Sequence, residues 1–181
     1  MQTPLTESEM VKLWEQHTDL EFVTKNAEAT VATMSPQNYV NHVPVMTGGR
    51  GHHAMIDFYG THFIPKMPAD TALRMFARTV GTNRLVDEFV FTFTHDLKMD
   101  WMLPGVEPTF RKVEVPMVVV VQFCGDKIES ERIYWDQASV LVQIGLIDPT
   151  GLPVAGLEQA RKFENAELPS NDLIPKDSGQ K

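Results

Sequence analysis

The run KVEVPMVVVVQF, residues 112–123, most constrains how this chain can fold. A strand of this length places Val113, Val115, Met117, Val119 and Val121 on one side and Val118 and Val120 on the other. Because both sides are apolar in the middle of the run, neither can face water, so the strand must lie in a sheet covered on both faces. The turn GDK and the alternating run KIESERIYWD follow at once, which predicts a hairpin with the next strand.

A second hairpin is predicted upstream of this run. Residues 72–82 and 84–96 are two β-rich segments that flank the turn GTN. In the later segment, alternation places Phe89, Phe91, Phe93 and His95 on one face, and Glu88, Val90, Thr92, Thr94 and Asp96 on the other. The two hairpins together predict a long antiparallel sheet.

Helical signals precede the strands. Residues 6–9 spell TESE, a capping-box sequence, and apolar residues then recur at helical spacing, which predicts a first helix over residues 7–24. Asn26 can cap a short second helix that ends before Pro36. A third amphipathic helix is predicted over residues 52–63.

Two short segments lie between the second and third helices. NYVNHVP predicts a short strand, and the glycine-rich TGGRG at residues 47–51 predicts a loop. A glycine-rich loop before a helix can present backbone amides to an anion, but this one lacks the Lys-Ser/Thr of a phosphate loop. The loop interpretation is therefore preferred.

Helices followed by an antiparallel sheet are typical of an α+β domain with the helices on one face of the sheet. The opening between a bent sheet and its helices is a natural site for a small molecule. A length of 181 residues suits one domain, which we predict at residues 1–163. Residues 164–181 are polar and rich in proline, and we expect them to form a mobile tail.

The charge balance argues against several classes of partner. A net charge of −8 and a pI near 5.2 disfavour nucleic acid and anionic membrane surfaces as main partners. The sequence contains neither a signal-peptide pattern nor a run of about 18 apolar residues, so we expect a cytoplasmic protein. Cys124 is the single cysteine, which excludes an intramolecular disulfide.

The segment GDKIESERIYWDQASVLVQIG, together with the order of elements, resembles the SnoaL-like polyketide cyclases of the nuclear transport factor 2-like superfamily. The resemblance is carried by a glycine turn, a strand that ends at Asp136, and the later Gln143 and Gly145. It implies a cone-shaped fold, with N-terminal helices packed on a strongly bent antiparallel sheet. It also implies a homodimer through the sheet, and acid–base chemistry on a small molecule without a metal or organic cofactor.

Asp136 matches the acid–base aspartate of the SnoaL-like cyclases. Its neighbours Tyr134 and Trp135 predict partial burial, which would raise its pKa toward neutrality and make it a usable base. The alternative is structural, because an aspartate at the start of a helix is a common N-cap. Gln122 stands where the cyclases carry a basic or imidazole partner, which departs from the family pattern.

His95 is the second candidate catalytic residue, since an imidazole could orient a carbonyl or share a proton with Asp136. A core or interface histidine is the alternative. Tyr39 and Asn41 resemble the water-holding pair of the limonene-epoxide-hydrolase branch, whose activating arginine is replaced here by Thr94. The predicted substrate-binding residues, each with an ordinary strand, loop or interface role as its alternative, are Tyr39, Asn41, His42, Arg78, Asp96, Trp101 and Tyr134.

Two functions from different classes remain open at this point. The first is a cofactor-independent lyase, isomerase or aldol cyclase that acts on a small carbonyl compound in an apolar pocket. The second is a small-ligand-binding or accessory dimeric domain of the same fold without turnover. Four further histidine positions are candidate metal ligands, but no i, i+4 His–His pair occurs among His42, His52, His53 and His62, so no metal site is expected.

Overall fold

The protein is described by a computed structural model that covers residues 4–175. Six strands form one curved sheet in the order β2-β1-β6-β5-β4-β3. The strands are β1 (Met34–His42), β2 (Thr47–Arg50), β3 (Ala72–Val80), β4 (Arg84–Thr94), β5 (Lys112–Cys124) and β6 (Lys127–Trp135). The apolar run is an inner strand, with β4 on one side and β6, its predicted hairpin partner, on the other.

The helices are α1 (Glu7–Phe22), α2 (Ala27–Ala32), α3 (His52–Asp57), α4 (Gln137–Gln143) and α5 (Leu157–Glu164). Helix α1 begins at the predicted capping box, in which Thr6 accepts from the Glu9 amide and the Glu9 side chain accepts from the Thr6 amide. Asn26 caps α2, as predicted. Helix α3 continues as π-helical turns over Phe58–Phe63 and a 3₁₀ turn over Ile64–Lys66. The predicted α+β class is confirmed.

Two features of the sheet differ from the predictions. The segment TGGRG is not a loop, because Thr47–Arg50 form β2, antiparallel to β1. Gly48 makes this pairing possible, since its φ is +135° and a Cβ there would lie 2.1 Å from the Val40 carbonyl oxygen. In addition, the sheet is not wholly antiparallel, because β1 pairs with β6 in parallel. A parallel pair needs a long crossover connection, and the chain between β1 and β6 is long enough to provide it.

The concave face of the sheet and the helical layer enclose the core. Helix α1 contributes Met10 and Trp14, and the π-helical segment contributes Phe58, Tyr59 and Phe63. The loop between β4 and β5 folds inward and buries Met99, Trp101, Met102 and Leu103. The core therefore lies between the concave face of the sheet and the helical layer.

Helix α5 lies against β5 on the side of the sheet away from that core. Phe163 stacks on Phe76 with ring centroids 4.8 Å apart, and Arg74 bonds both Glu164 and Glu114. The chain that follows α5 is held to the helix, because Lys162 Nζ donates to the carbonyl oxygens of Ala166 and Leu168. The last part of the predicted tail, residues 176–181, lies outside the described residues. No helix within residues 4–175 has the length and apolar character needed to cross a membrane.

Candidate active site

A cavity of about 240 Å³ lies between α1, the π-helical segment and the concave face of the sheet. Most of its wall is aromatic or apolar: Trp14, Phe22, Val40, Tyr59, Phe63, Leu73, Met75, Phe89, Phe91, Trp101, Met117, Val119 and Ile133. Its polar lining consists of Thr18, Glu21, His42, Arg78, Asp87 and Glu131. Few polar groups in an apolar wall are typical of a small-molecule site.

Two buried carboxylates meet one imidazole at this wall. Glu21 of α1 is 6% exposed, and Glu131 of β6 is 4% exposed. His17 Nε2 lies 3.1 Å from the nearer carboxylate oxygen of each. Buried ionised groups persist only when they are paired and hydrogen-bonded, and here each carboxylate shares the same cationic partner.

The positions of these residues follow from strand and helix periodicity. Glu131 shares the inward face of β6 with Ile133 and Trp135, which are also buried. Helix α1 buries the stripe Met10, Trp14, His17 and Glu21, whose spacing of three and four residues keeps them on one face. Strand β6 and helix α1 therefore present their acidic side chains to the same point.

The hydrogen bonds of Thr33 determine the protonation of His17. The Thr33 hydroxyl donates to the Thr30 carbonyl at 2.7 Å, so it can only accept from His17 Nδ1, which lies 2.6 Å away. Nδ1 therefore carries a proton. A second proton on Nε2 is shared between Glu21 and Glu131, and the residue is an imidazolium.

Electrostatics favour the same state. Burial alone would lower the pKa of His17, but the charges and hydrogen bonds of Glu131 and Glu21 outweigh it and raise the pKa to about 10. Burial raises the pKa of Glu21, against the opposing effect of His17. Burial and the two carboxylates also raise the pKa of Tyr59, whose hydroxyl lies 3.2 Å from His17 Nε2 and 3.5 Å from Glu131.

This cluster can exchange protons with a bound molecule. One imidazolium balances one of the two carboxylates, and burial raises the pKa of Glu21 above its ordinary value, so this carboxyl takes up a proton more readily than a free glutamate does. A carboxylate beside a carboxylic acid is the usual pairing of a general base with a general acid. The ligand atoms of His17, Glu21 and Glu131 lie within 4.8 Å of one another, a donor set that divalent metals also use. Since Nε2 bonds both carboxylates directly, we interpret the cluster as a hydrogen-bonded network.

A second polar group lies elsewhere on the wall. Arg78 of β3 makes a bidentate pair with Asp87 of β4, at 2.6 Å and 2.8 Å. Trp14 Nε1 donates to the same carboxylate at 2.8 Å, and Arg78 Nη1 reaches Glu15 at 2.9 Å. Asp87 is therefore fully engaged by the protein, and this group is better suited to holding α1 on the sheet than to moving protons.

Three of the nine predicted site residues line the cavity: His42, Arg78 and Trp101. His42 is buried among aromatic rings, with the Trp101 and Phe58 centroids at 5.1 Å and 5.5 Å. Burial lowers the pKa of His42 to about 3, so its imidazole is neutral. Trp101 is buried as well, at the end of the inward-folded loop.

Asp136 lies outside the cavity, and the prediction that its carboxylate lines the cone is wrong. It is the N-cap of α4, where Oδ1 accepts from the amides of Ala138 and Ser139 at 2.9 Å and 3.3 Å. Its other oxygen accepts from Gln159 Nε2 at 2.7 Å. The reason is strand alternation: Trp135 is buried, and β6 ends before another inward position is reached.

The other predicted residues also lie outside the cavity wall. His95 is buried beyond the end of β4, and its Nδ1 contacts the Thr109 hydroxyl at 3.1 Å. Burial lowers the pKa of His95. Asp96 is exposed, and Tyr134 is 42% exposed. The guanidinium of Arg132 lies over the ring of Tyr39, 5.8 Å from its centroid. Asn41 alternates with the inward Val40 and His42 and points the other way.

The sequence held signals for the residues that were missed. Alternation in KIESERIYW places Glu131 on the same face as Ile133 and Trp135, and Asp87 shares its face with Phe89. His17 and Glu21 are four residues apart on α1, which is the spacing of a helical pair. In each case the spacing places an ionisable side chain on the apolar face of a strand or helix, and such a side chain is a candidate site residue.

No family model matches the sequence, and no curated protein matches it. Solved structures do match. A protein assigned as a SnoaL-like polyketide cyclase from Jannaschia sp. CCS1 has 18% identity over 82% of this chain and 99% of its own, with a TM-score of 0.62. A ketosteroid isomerase-like fold from Catenulispora acidiphila, in complex with trimethylamine, has 16% identity over 77% and 95%, with a TM-score of 0.55.

The epoxide hydrolase/cyclase-like enzyme SalBIII, which has a role in pyran ring formation in salinomycin, has 14% identity over 71% of this chain and 91% of its own, with a TM-score of 0.52. At such identities the likeness concerns the fold. The chain has the fold of SnoaL-like, nuclear transport factor 2-like proteins, which confirms the fold that the resemblance implied.

Proposed function

We propose that the protein is a cofactor-independent acid–base enzyme, of the lyase, isomerase or aldol-cyclase type, that acts on a small apolar carbonyl compound. The observation that carries the proposal is the buried pair Glu21 and Glu131, which share one imidazolium at the wall of an otherwise apolar cavity. Structural neighbours named as a polyketide cyclase and as an epoxide hydrolase/cyclase-like enzyme have the same fold. They support the choice of reaction class only as analogy.

In the proposed reaction Glu131 is the base. Its carboxylate removes a proton from the carbon beside the carbonyl, the C–H electron pair forms a C=C bond, and the carbonyl π electrons move to oxygen. Glu21, which burial favours in its acid form, donates its proton to that oxygen and gives the enol. For a β,γ-unsaturated ketone, Glu131 returns its proton to the γ-carbon of the dienol while the enol O–H returns its proton to Glu21, which completes an isomerisation. For a β-hydroxy ketone, the β-hydroxyl takes the proton of Glu131 and leaves as water while the enol O–H returns its proton to Glu21, which completes a dehydration.

His17 and Tyr59 support this proton transfer. His17 is fully buried behind the wall and does not line the cavity, so it acts as a positioning residue that holds both carboxylates. Its Nε2 lies 3.1 Å from a carboxylate oxygen of Glu131, which fixes the position of the base. Tyr59 lines the cavity as a neutral phenol and can donate a hydrogen bond to Glu131 or to a substrate oxygen.

The test is enzyme-catalysed exchange of the protons beside the carbonyl of 2-tetralone in deuterated buffer, followed by NMR. General-base catalysis is worth roughly 10²–10⁴-fold in rate, so we expect Glu131→Gln to lower the exchange by about that factor. Glu129→Gln, a change of the same type on the same strand and outside the cavity wall, is the matched control and should exchange at the native rate. Exchange that is equally fast in both variants contradicts the proposal.

The alternative is a small-ligand-binding or accessory dimeric domain without turnover. It is favoured by the composition of the wall, which is mainly apolar. Of its polar residues, Asp87 and Arg78 already form hydrogen bonds with each other. The same experiment discriminates the two functions. Saturable binding of 2-tetralone without any exchange above the buffer rate supports the binding function and rejects the enzyme.

A further inference from the structure

The cavity wall has more carboxyl groups than cationic side chains. Its carboxyl groups are those of Glu21, Asp87 and Glu131. Within residues 4–175, Arg78 is the one cationic residue of the wall. Arg78 is moreover shared, because its guanidinium bonds Asp87 at 2.6 Å and 2.8 Å and Glu15 at 2.9 Å. It therefore has no positive charge left to offset Glu21 and Glu131.

The imidazolium of His17 offsets only one of these two carboxyl groups. It is fully buried behind the wall, and its Nε2 lies 3.1 Å from Oε1 of Glu21 and from Oε1 of Glu131. Because an unpaired charge is costly to bury, the other carboxyl group must either hold a proton or meet a positive charge from outside the described chain. The raised pKa of Glu21, which burial causes, agrees with this imbalance.

A ligand in the cavity can reach both carboxyl groups. The contacts of His17 Nε2 and of the Tyr59 hydroxyl use Oε1 of Glu21 and Oε1 of Glu131. The Oε2 atom of each has no hydrogen-bond partner among residues 4–175, yet neither belongs to the unpaired side-chain atoms that are inaccessible to solvent. Each of the two side chains keeps 5% of its surface accessible, and both line the cavity. The Oε2 atoms are therefore open to a bound molecule.

Aromatic rings continue the wall from these carboxyl groups. The hydroxyl of Tyr59 lies 3.5 Å from Glu131, and the ring of Tyr59 contacts that of Phe63 with centroids 5.7 Å apart. Trp101 lies 5.1 Å from Phe63, and Phe91 lies 5.8 Å from Trp101. The face of an aromatic ring attracts a cation, and tryptophan does so most strongly. A cation that carries apolar substituents therefore matches both the charge and the surface of this wall.

We propose that the cavity binds small organic ammonium ions, with the positive nitrogen beside Glu21 and Glu131 and its alkyl or aryl groups against the aromatic wall. The proposal does not rest on the acid–base reaction. With a neutral ketone in the cavity, the unbalanced carboxyl group keeps its proton and can act as the acid. With an ammonium ion in the cavity, the positive nitrogen takes the place of that proton and both carboxyl groups are ionised.

The experiment compares phenyltrimethylammonium with tert-butylbenzene, which have the same shape and differ in one atom, a positive nitrogen in place of a carbon. Binding is measured near pH 7 by titration of the tryptophan fluorescence, since Trp14 and Trp101 line the cavity. Physiological salt screens the attraction that the net charge of −8 exerts on any cation. We expect phenyltrimethylammonium to bind the native protein at least about tenfold more tightly than tert-butylbenzene, because a desolvated cation gains from both the rings and the unbalanced carboxylate.

Two variants place the cation in the cavity. Glu21→Gln and Glu131→Gln keep the shape of the wall, and each leaves a single carboxylate, which His17 offsets. Each should weaken the binding of phenyltrimethylammonium at least about tenfold and change that of tert-butylbenzene by less than about twofold. Glu7→Gln is the matched control, because it makes the same change on the same helix at an exposed residue outside the cavity wall. It should bind both probes as the native protein does.

Three results would overturn the ammonium site. The first is equal affinity of the native protein for the two probes, and the second is the absence of phenyltrimethylammonium binding. The third is native affinity for phenyltrimethylammonium in a folded Glu21→Gln or Glu131→Gln variant. Thermal melting shows which variants are folded, and one folded variant is enough for the test.

The ammonium site and the proposed function can fail separately. If the preference for phenyltrimethylammonium depends on Glu21 but exchange of 2-tetralone does not depend on Glu131, the ammonium site holds and the acid–base function fails. If exchange depends on Glu131 while the two probes bind the native protein equally, the function holds and the ammonium site is overturned.

Discussion

His17 offsets the negative charge of the buried carboxyl groups, because its imidazolium lies 3.1 Å from both Glu21 and Glu131. Its folded-state pKa of about 10 lies above the ordinary value of 6.5. The folded protein therefore binds this proton more tightly than the unfolded chain does. The resulting stabilisation is complete below about pH 6.5 and is lost as pH rises through about 10.

We predict that the free energy of unfolding falls by on the order of 3 kcal/mol between pH 6.5 and pH 10. Urea titrations at several pH values measure it. In His17→Gln the slope over this range should become much smaller. His62→Gln, which removes a histidine whose side chain is 44% exposed, should keep the native slope. A native stability that rises over this pH range would contradict the imidazolium assignment.

Asp136 is explained by its hydrogen bonds to the start of α4 and to Gln159. We predict that Asp136→Ala costs roughly 0.5–2 kcal/mol of stability, since alanine cannot cap the helix. Asp136→Asn should cost less, because asparagine caps nearly as well. Chemical denaturation of the two variants measures the difference, and equal stability of Asp136→Ala and the native protein would reject the capping role.

Among the elements, those with strong local signals could be predicted from the sequence. The capping box fixed the start of α1, and the alternation around GTN and GDK fixed both hairpins. Strand β2 was missed because TGGR has no apolar alternation. It forms only because Gly48 allows close approach to Val40. The local residue pattern of a segment does not show which strand it will pair with.

The candidate site was predicted less well than the fold. Glu131 and Asp87 lie at inward positions that strand alternation identifies. A charged residue at such a position is not expected in an apolar core unless the residue that pairs with it is known. The partner of Glu131 is His17, which lies on another element, 114 positions earlier in the chain. Only the three-dimensional contact joins them.

The β1–β2 pairing gives a prediction at the scale of elements. Gly48→Ala should destabilise the protein by on the order of 2–4 kcal/mol, because the new methyl group would overlap the Val40 carbonyl as well as strain the backbone. Gly105→Ala is the control, since Gly105 also has positive φ but has no atom within 4 Å of an added Cβ. Equal melting temperatures of the two variants would reject the close-approach argument.

For the whole molecule, the outer face of the sheet is the surface that bears on assembly. Val118 and Val120 point away from the cavity and are only half-buried in the single chain, and Tyr134 is 42% exposed beside them. Helix α5 packs on β5, yet Val118 and Val120 keep part of their surface exposed. An apolar sheet face in this state favours contact with a second copy.

We therefore propose a homodimer through the sheet. Light scattering at micromolar concentration should give twice the chain mass of 20.4 kDa. Val118→Lys, which places a charge on the outer face, should give the monomer. Val23→Lys, at a position that is 76% exposed elsewhere, should leave the dimer intact. A native monomer at this concentration would contradict the proposal.

We propose that Glu131, inside the cavity, moves the proton, whereas Asp136 caps a helix. The most direct test is to measure exchange of 2-tetralone by Glu131→Gln and Asp136→Asn under identical conditions. We predict that Glu131→Gln loses roughly 10²–10⁴-fold and that Asp136→Asn stays within about twofold of the native rate. Loss of exchange in Asp136→Asn, with native exchange in Glu131→Gln, would contradict the account.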